Sequence, residues 1–215
     1  GKFLEAERSY RQALKNNKVV LEAAIDAGKD ALDNETRVLQ DATTNVKGQY
    51  GIRISLLNGL ARSFIGQKRL NDAEYYAREA VMLSIERFGV NSTRTTFTLL
   101  TLTRVISEQG RQPEAVLLAS AALKIAQQTS NFPGSPLLAE VRRVLAGALV
   151  ADGKYAQAEK VFAEMVEGVK ADPVIASKYL TGDLDWSLAL IKTGKASQAV
   201  TMTSEILSKQ GSRLD

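Results

Sequence analysis

Cysteine and histidine are both absent from the 215 residues. Without cysteine there is no disulfide framework, no thiolate nucleophile and no thiolate metal ligand. Without histidine the commonest general base and the commonest metal ligand are missing. Zinc would have to be held by carboxylates alone, against its preference, so neither metal nor cofactor is expected. Proline is scarce: Pro113, Pro133, Pro136 and Pro173 are all there is, and none interrupts the first 112 residues. No run of about 18 apolar residues occurs, so no membrane insertion is expected. The chain opens at Gly1 with neither an initiator Met nor a signal-type apolar stretch. It reads as a piece of something longer, and a cytoplasmic location is expected.

Charge of one sign is also lacking. The net charge is +4, but basic and acidic residues are mixed. The basic runs "KNNK" and "GQKR" are short and carry no interleaved aromatics, so they read as solvated helix faces. A nucleic-acid partner is not expected. What is abundant is alanine, leucine, lysine, glutamate and glutamine, all good helix formers. The chain is expected to be all-α.

The sequence repeats itself. "GKFLEAERSYRQAL" at 1–14 and "GKYAQAEKVFAEM" at 153–165 share Gly-Lys-aromatic, then Ala-Glu, then an aromatic four residues beyond the Ala. With that small Ala as a marker, Ala73, Ala115, Ala158 and Ala199 recur at about 42 residues. Each marker sits in a helix-starting phrase that follows another helical stretch. Those preceding stretches carry large–small–large triplets: Leu60/Ala61/Phe64, Leu102/Thr103/Ile106, Leu145/Ala146/Leu149 and Trp186/Ser187/Leu190. Spacings of three and four put each triplet on one helical face. Gly or a polar group then ends the first helix. The reading is a repeated helical hairpin whose core forms only when neighbours stack.

The large-small-x-x-large and Gly-x-aromatic-x-x-Ala-x-x-x-aromatic pattern resembles the tetratricopeptide (TPR) repeat. The long period, and the stretch from Phe88-Gly89 into a threonine-rich helix start, resemble the repeats of kinesin light chain, although Ser92 stands where a His is usual and the His-Pro is lost. Similar long repeats occur in many bacterial proteins, often ahead of a caspase-like CHAT protease domain. The resemblance covers roughly 50–210, plus half a repeat at 1–14. It implies a right-handed α-α superhelix of TPR helix hairpins, with repeats at about 49–90, 91–132, 133–172 and 173–215. Residues 1–14 match the second helix of a truncated repeat, with at least one helix expected upstream.

Residues 15–48 do not fit the period, because Ala6 and Ala73 stand about 25 residues too far apart. Two readings compete. The segment holds separate helices, broken near Gly28 and Asp33-Asn34, or the helix from residue 2 runs on to about residue 46. Parity of the up-down order favours the long N-terminal helix. So do the seven-residue steps from Leu14 to Leu21 and through Ile25, Leu32, Leu39 and Val46. Such a helix would be about 65 Å long. Its apolar stripe would need a cover, and self-association through 14–46 is one candidate.

No catalytic constellation emerges, and the chain is not expected to be an enzyme. The Gly-Lys pairs lack the glycine spacing of a phosphate loop. Asp183 and Asp185 diverge on a helix and suit an N-terminal capping role. Tyr75, Tyr76 and Trp186 fall in or beside the packing registers. Asn91-Ser92-Thr93 matches a glycosylation sequon that we read as incidental.

TPR superhelices have a concave groove lined by the first helix of each pair. The resemblance implies that Asn58 and Arg62, Leu100 and Arg104, Arg143 and Gly147, and Leu184 and Leu188 point into it, with Ser55, Ile65, Phe97 and Glu140 a turn away. Arg62, Arg104 and Arg143 would offer forked donors to partner carboxylates, unless groove acids such as Glu108 and Glu140 take them. Phe97, Leu100, Leu184 and Leu188 would take apolar side chains. The Lys/Asn clamp that grips a C-terminal carboxylate in some TPR proteins is not matched, because its Lys positions hold Asn58 and Leu100. The expected function is a protein–protein interaction scaffold that docks an acidic and apolar partner segment in the groove. An alternative is a regulatory arm of a larger protein, attached for example to a CHAT-type protease. A binder of nucleic acid or acidic surfaces, motivated by an isoelectric point near 9.2, ranks below both.

Overall fold

Small residues at fixed intervals decide where the helices of this chain meet. The computed structural model describes residues 1–30, 36–130, 132–179 and 184–211. Among them the regular elements are helices, and they fall into two compact units, Gly1–Gln109 and Gly110–Asp215.

The first unit holds α1 (Lys2–Asp30), α2 (Thr36–Gly66), α3 (Leu70–Phe88) and α4 (Thr93–Glu108). α1 and α2 are antiparallel neighbours. Ser63 Oγ donates to the Phe3 carbonyl at 2.6 Å, and Asn17 Nδ2 donates to Gln49 Oε1 at 3.1 Å. Two glycines on α2 form notches. A Cβ at Gly66 would come within 2.4 Å of the Phe3 ring, and one at Gly59 equally close to the Tyr10 ring. Phe3 and Tyr10 are seven apart, as are Gly59 and Gly66, so the aromatics of one helix drop into the gaps of the other. Glu7, buried between them, accepts from Gln67 (2.9 Å) and pairs with Arg11 (2.8 Å) and Arg69 (3.3 Å).

This corrects the expectation of one helix from residue 2 to about 46. Asn17 could not reach Gln49 from a helix still running outward at residue 46. α1 ends at Asp30 and α2, antiparallel to it, begins at Thr36; residues 31–35, Asp33 and Asn34 among them, lie outside the described residues. On α1, which packs against α2, Leu21 of the apolar stripe is buried together with Ala24.

α3 meets its neighbours through a stripe of small residues, Ala73, Ala77, Ala80 and Ser84. α4 is buried on most sides, despite its threonines. The helix starts at Ser92, whose hydroxyl accepts from the Thr95 amide at 3.1 Å. The hydroxyls of Thr96, Thr98, Thr101 and Thr103 donate to carbonyls three or four residues back, so none enters the core unsatisfied.

The second unit holds α5 (Gln112–Thr129), α6 (Pro136–Ala151), α7 (Tyr155–Val169), α8 (Pro173–Tyr179), α9 (Leu184–Lys192) and α10 (Ala196–Gly211). Its core gathers Leu145, Leu149, Ala158, Phe162, Met165 and Ala189. Phe162 stacks on Trp186 with centroids 5.5 Å apart and planes 13° from parallel. Tyr179, at the end of α8, donates its hydroxyl to the Pro136 carbonyl at 3.1 Å. Glu159 on α7 takes the ammonium of Lys195. That hydrogen bond, then one from Thr193, holds the Glu159 carboxyl below the usual range against the opposing effect of burial. The four marker alanines lie on α3, α5, α7 and α10 and are all buried.

The repeat also fixes its turns. Gly110, Gly153 and Gly194 follow α4, α6 and α9 with φ of 79°, 74° and 82°. The equivalent place after α2 holds Lys68, at φ 59°. An L-residue there strains its Cβ against the backbone, and glycine does not. Lys68→Gly is expected to stabilise the protein by about 0.5–1 kcal/mol in urea denaturation, with no gain for Lys68→Ala. The exposed Lys68–Glu108 pair lost in both variants is worth little. A destabilising Lys68→Gly would show that the turn is not strained.

Candidate functional face on the first helices

Helix α4 runs beside α2 in the same direction. Arg94 at its start donates to the Gly51 carbonyl at 3.3 Å, and Glu108 at its end meets Lys68 at 2.8 Å. Those two ties place residues about 42 apart at matching heights. Arg62 on α2 and Arg104 on α4 are such a pair. Arg62 is exposed and makes no ion pair among the described residues. Arg104 is half-buried and engaged within the chain. Phe97, two turns before Arg104 on the same face of α4, is 49% exposed on a helix otherwise deep in the protein. Asn58 is half-buried, and its Oδ1 is enclosed without a donor among the described residues.

Leu100 departs from the expectation. It is only 3% exposed and presents no surface to a partner. The groove register borrowed from the TPR pattern assumes an open face at that position, and α4 is covered there. Tyr75 departs in the other direction, lying mostly exposed while Tyr76 stacks on Phe64 at 5.5 Å.

In the second unit, α9 begins against α6. A Cβ at Gly147 would lie 3.0 Å from Asp185 Oδ2. Asp183 lies outside the described residues. Arg143, one turn before Gly147, is half-buried and held by Glu140 at 3.0 and 3.3 Å. A partly exposed pair of this kind adds little stability and yields readily to a competing carboxylate. Glu108, by contrast, is bonded to Lys68 (2.8 Å). Leu184 (79% exposed), Leu188 (39%) and Ile191 (53%) form a stripe along α9 at helical spacing. Sequence reasoning named the first two and missed Ile191, which the same i, i+4, i+7 rule identifies.

Among the described residues no group of acids could hold a metal ion, and no helix is long and apolar enough to cross a membrane.

No family model and no curated protein matches the chain. Solved structures do. A Podosopora anserina kinesin light chain protein with nearly identical TPR-like repeats aligns with a TM-score of 0.62 at 16% identity, covering 94% of this chain and 97% of that one. BtubC (BKLC) from P. vanneervenii aligns with a TM-score of 0.65 at 13% identity, covering 99% and 92%. The likeness at such low identity is one of architecture, and it gives this chain the fold of the TPR-like repeat proteins, an α-α superhelical solenoid of the kinesin light chain type.

Proposed function

We propose that the chain is a protein-interaction scaffold that holds a segment of a partner protein against its first helices. The observation that carries this reading is the α2–α4 face. Two arginines stand there at matching heights on parallel helices, and Phe97 is exposed on a helix whose other large apolar residues are buried. The exposed Arg62 guanidinium offers a partner carboxylate a forked set of donors. An exposed aromatic beside them supplies an anchor for apolar side chains. In the second unit Arg143 and the Leu184/Leu188 stripe offer the same chemistry. The ligand is therefore an acidic and apolar peptide segment, extended or helical.

The test compares the parent with Arg62→Glu/Arg104→Glu/Arg143→Glu as bait in a lysate of the source organism, with folding of both confirmed by circular dichroism. The parent is expected to retain a partner that the variant loses, with the captured segment acidic. Equal capture by both would remove the arginines from the interface.

A further inference from the structure

Three stretches far apart in sequence bring cations together at one corner of the first unit. Lys47 and Tyr50 lie on α2, Arg87 and Phe88 close α3, and Arg94 opens α4. Lys47 Nζ lies 5.7 Å from the centre of the Phe88 ring, and the Arg94 guanidinium lies 4.8 Å from that same ring. The Arg87 guanidinium lies 4.1 Å from the centre of the Tyr50 ring. Gly51 makes room, since a Cβ there would come within 2.7 Å of the Arg94 guanidinium. Arg87 has Glu86 at 3.0 Å, and Arg53, further along α2, has Glu79 at 3.6 Å. Among the described residues Lys47 and Arg94 meet no carboxylate.

Two cations on one ring repel each other, and the ring's quadrupole offsets only part of that cost. Carboxylates of a ligand beside them relieve it with charge-assisted hydrogen bonds. We propose that this corner is a second docking site, distinct from the face of Arg62 and Arg104, for an acidic segment of a partner protein. Lys47 and Arg94 donate to its carboxylates, Arg87 adds a further donor, and exposed Val90 gives apolar contact. A nucleic acid fits less well. Single strands bind by stacking bases on free aromatic faces, and here the faces of Phe88 and Tyr50 carry cations. On α2 the corner lies about 22 Å from Arg62 at 1.5 Å per residue, so the two sites can be tested apart.

The experiment is a fluorescence-anisotropy titration of a dye-labelled peptide of alternating glutamate and glycine against the whole chain. Lys47→Glu/Arg87→Glu is expected to lose about tenfold or more in affinity, the scale of one or two charge-assisted contacts. Arg62→Glu is expected to change it by less than about twofold. Parent binding weakens as salt rises to about 0.15 M. Lys47→Gln, which adds no new repulsion, is expected to lose about threefold and covers the case of a misfolded double variant. Absent binding by the parent, or binding as tight as the parent's by both the double variant and Lys47→Gln, overturns the site. A loss matched by Arg62→Glu alone assigns the peptide to the α2–α4 face instead. A single-stranded oligonucleotide that binds as tightly as the peptide overturns the choice of ligand.

Discussion

Phe162→Ala is expected to cost about 3–5 kcal/mol, the range for emptying a fully buried aromatic site. Phe162 is inaccessible to solvent at the centre of the second unit's core, among Ala158, Met165 and Leu149. The small residues around it are helix backbones already in contact, so the cavity has little room to collapse. The ring also stacks on Trp186, which is the protein's single tryptophan. Loss of the ring therefore carries its own optical signature. Trp186 emission should shift to the red in the folded variant, and the thermal midpoint should fall by at least about 10 °C. Phe162→Leu, which keeps most of the volume, should cost less than half as much. An alanine variant within 1 kcal/mol of the parent, with unchanged emission, would mean that this packing is not present.

Phe64→Ala is expected to have an effect of the same size in the first unit, about 3–5 kcal/mol. Phe64 is fully buried and stacks on Tyr76 with planes 17° from parallel. Arg69 stands 4.4 Å over its ring and Arg11 5.7 Å, and both guanidiniums are held by buried Glu7. The ring thus joins α2, α3 and α1, and its removal strips a π-face from two cations whose carboxylate remains. Chemical denaturation should show a lower midpoint at unchanged m-value. Phe64→Leu should recover most of the apolar burial without the cation contacts, so it should fall between the parent and Phe64→Ala. Equal stability of the leucine and alanine variants would contradict the account of the ring as a filled core position.

The parts of the fold that were legible are those the chain can build in only one way. A helix crossing tight enough to need alanine at Ala73, Ala115 or Ala158 leaves a fixed mark. So does a left-handed turn that needs glycine at Gly110, Gly153 or Gly194. Lys68 escaped notice because it holds that turn without the residue that signals it. The N-terminal segment was misread for a different reason. A seven-residue apolar step is satisfied equally by a long exposed helix and by a hairpin folded on itself. The deciding signal was the matched spacing of Phe3 and Tyr10 with Gly59 and Gly66, which shows only when the two stretches are set antiparallel. The candidate site was half legible. Positions carried over from the TPR pattern put Arg62, Phe97, Leu184 and Leu188 on the surface, but Leu100 is covered because its helix is buried on most sides. The cation corner left no local trace, since its members come from residues 47–53, 87–88 and 94.

The central claim is that a partner segment lies against the α2–α4 face. Its most direct test places a photo-crosslinking benzoyl-phenylalanine at Phe97, and separately at Tyr75, an exposed aromatic on α3. Irradiation in a lysate of the source organism, followed by mass spectrometry, maps any adduct. The account predicts one discrete protein adduct from position 97, on an acidic segment, suppressed by Arg62→Glu and absent from position 75. Adducts from position 75 alone, or equal and diffuse labelling from both, would contradict it.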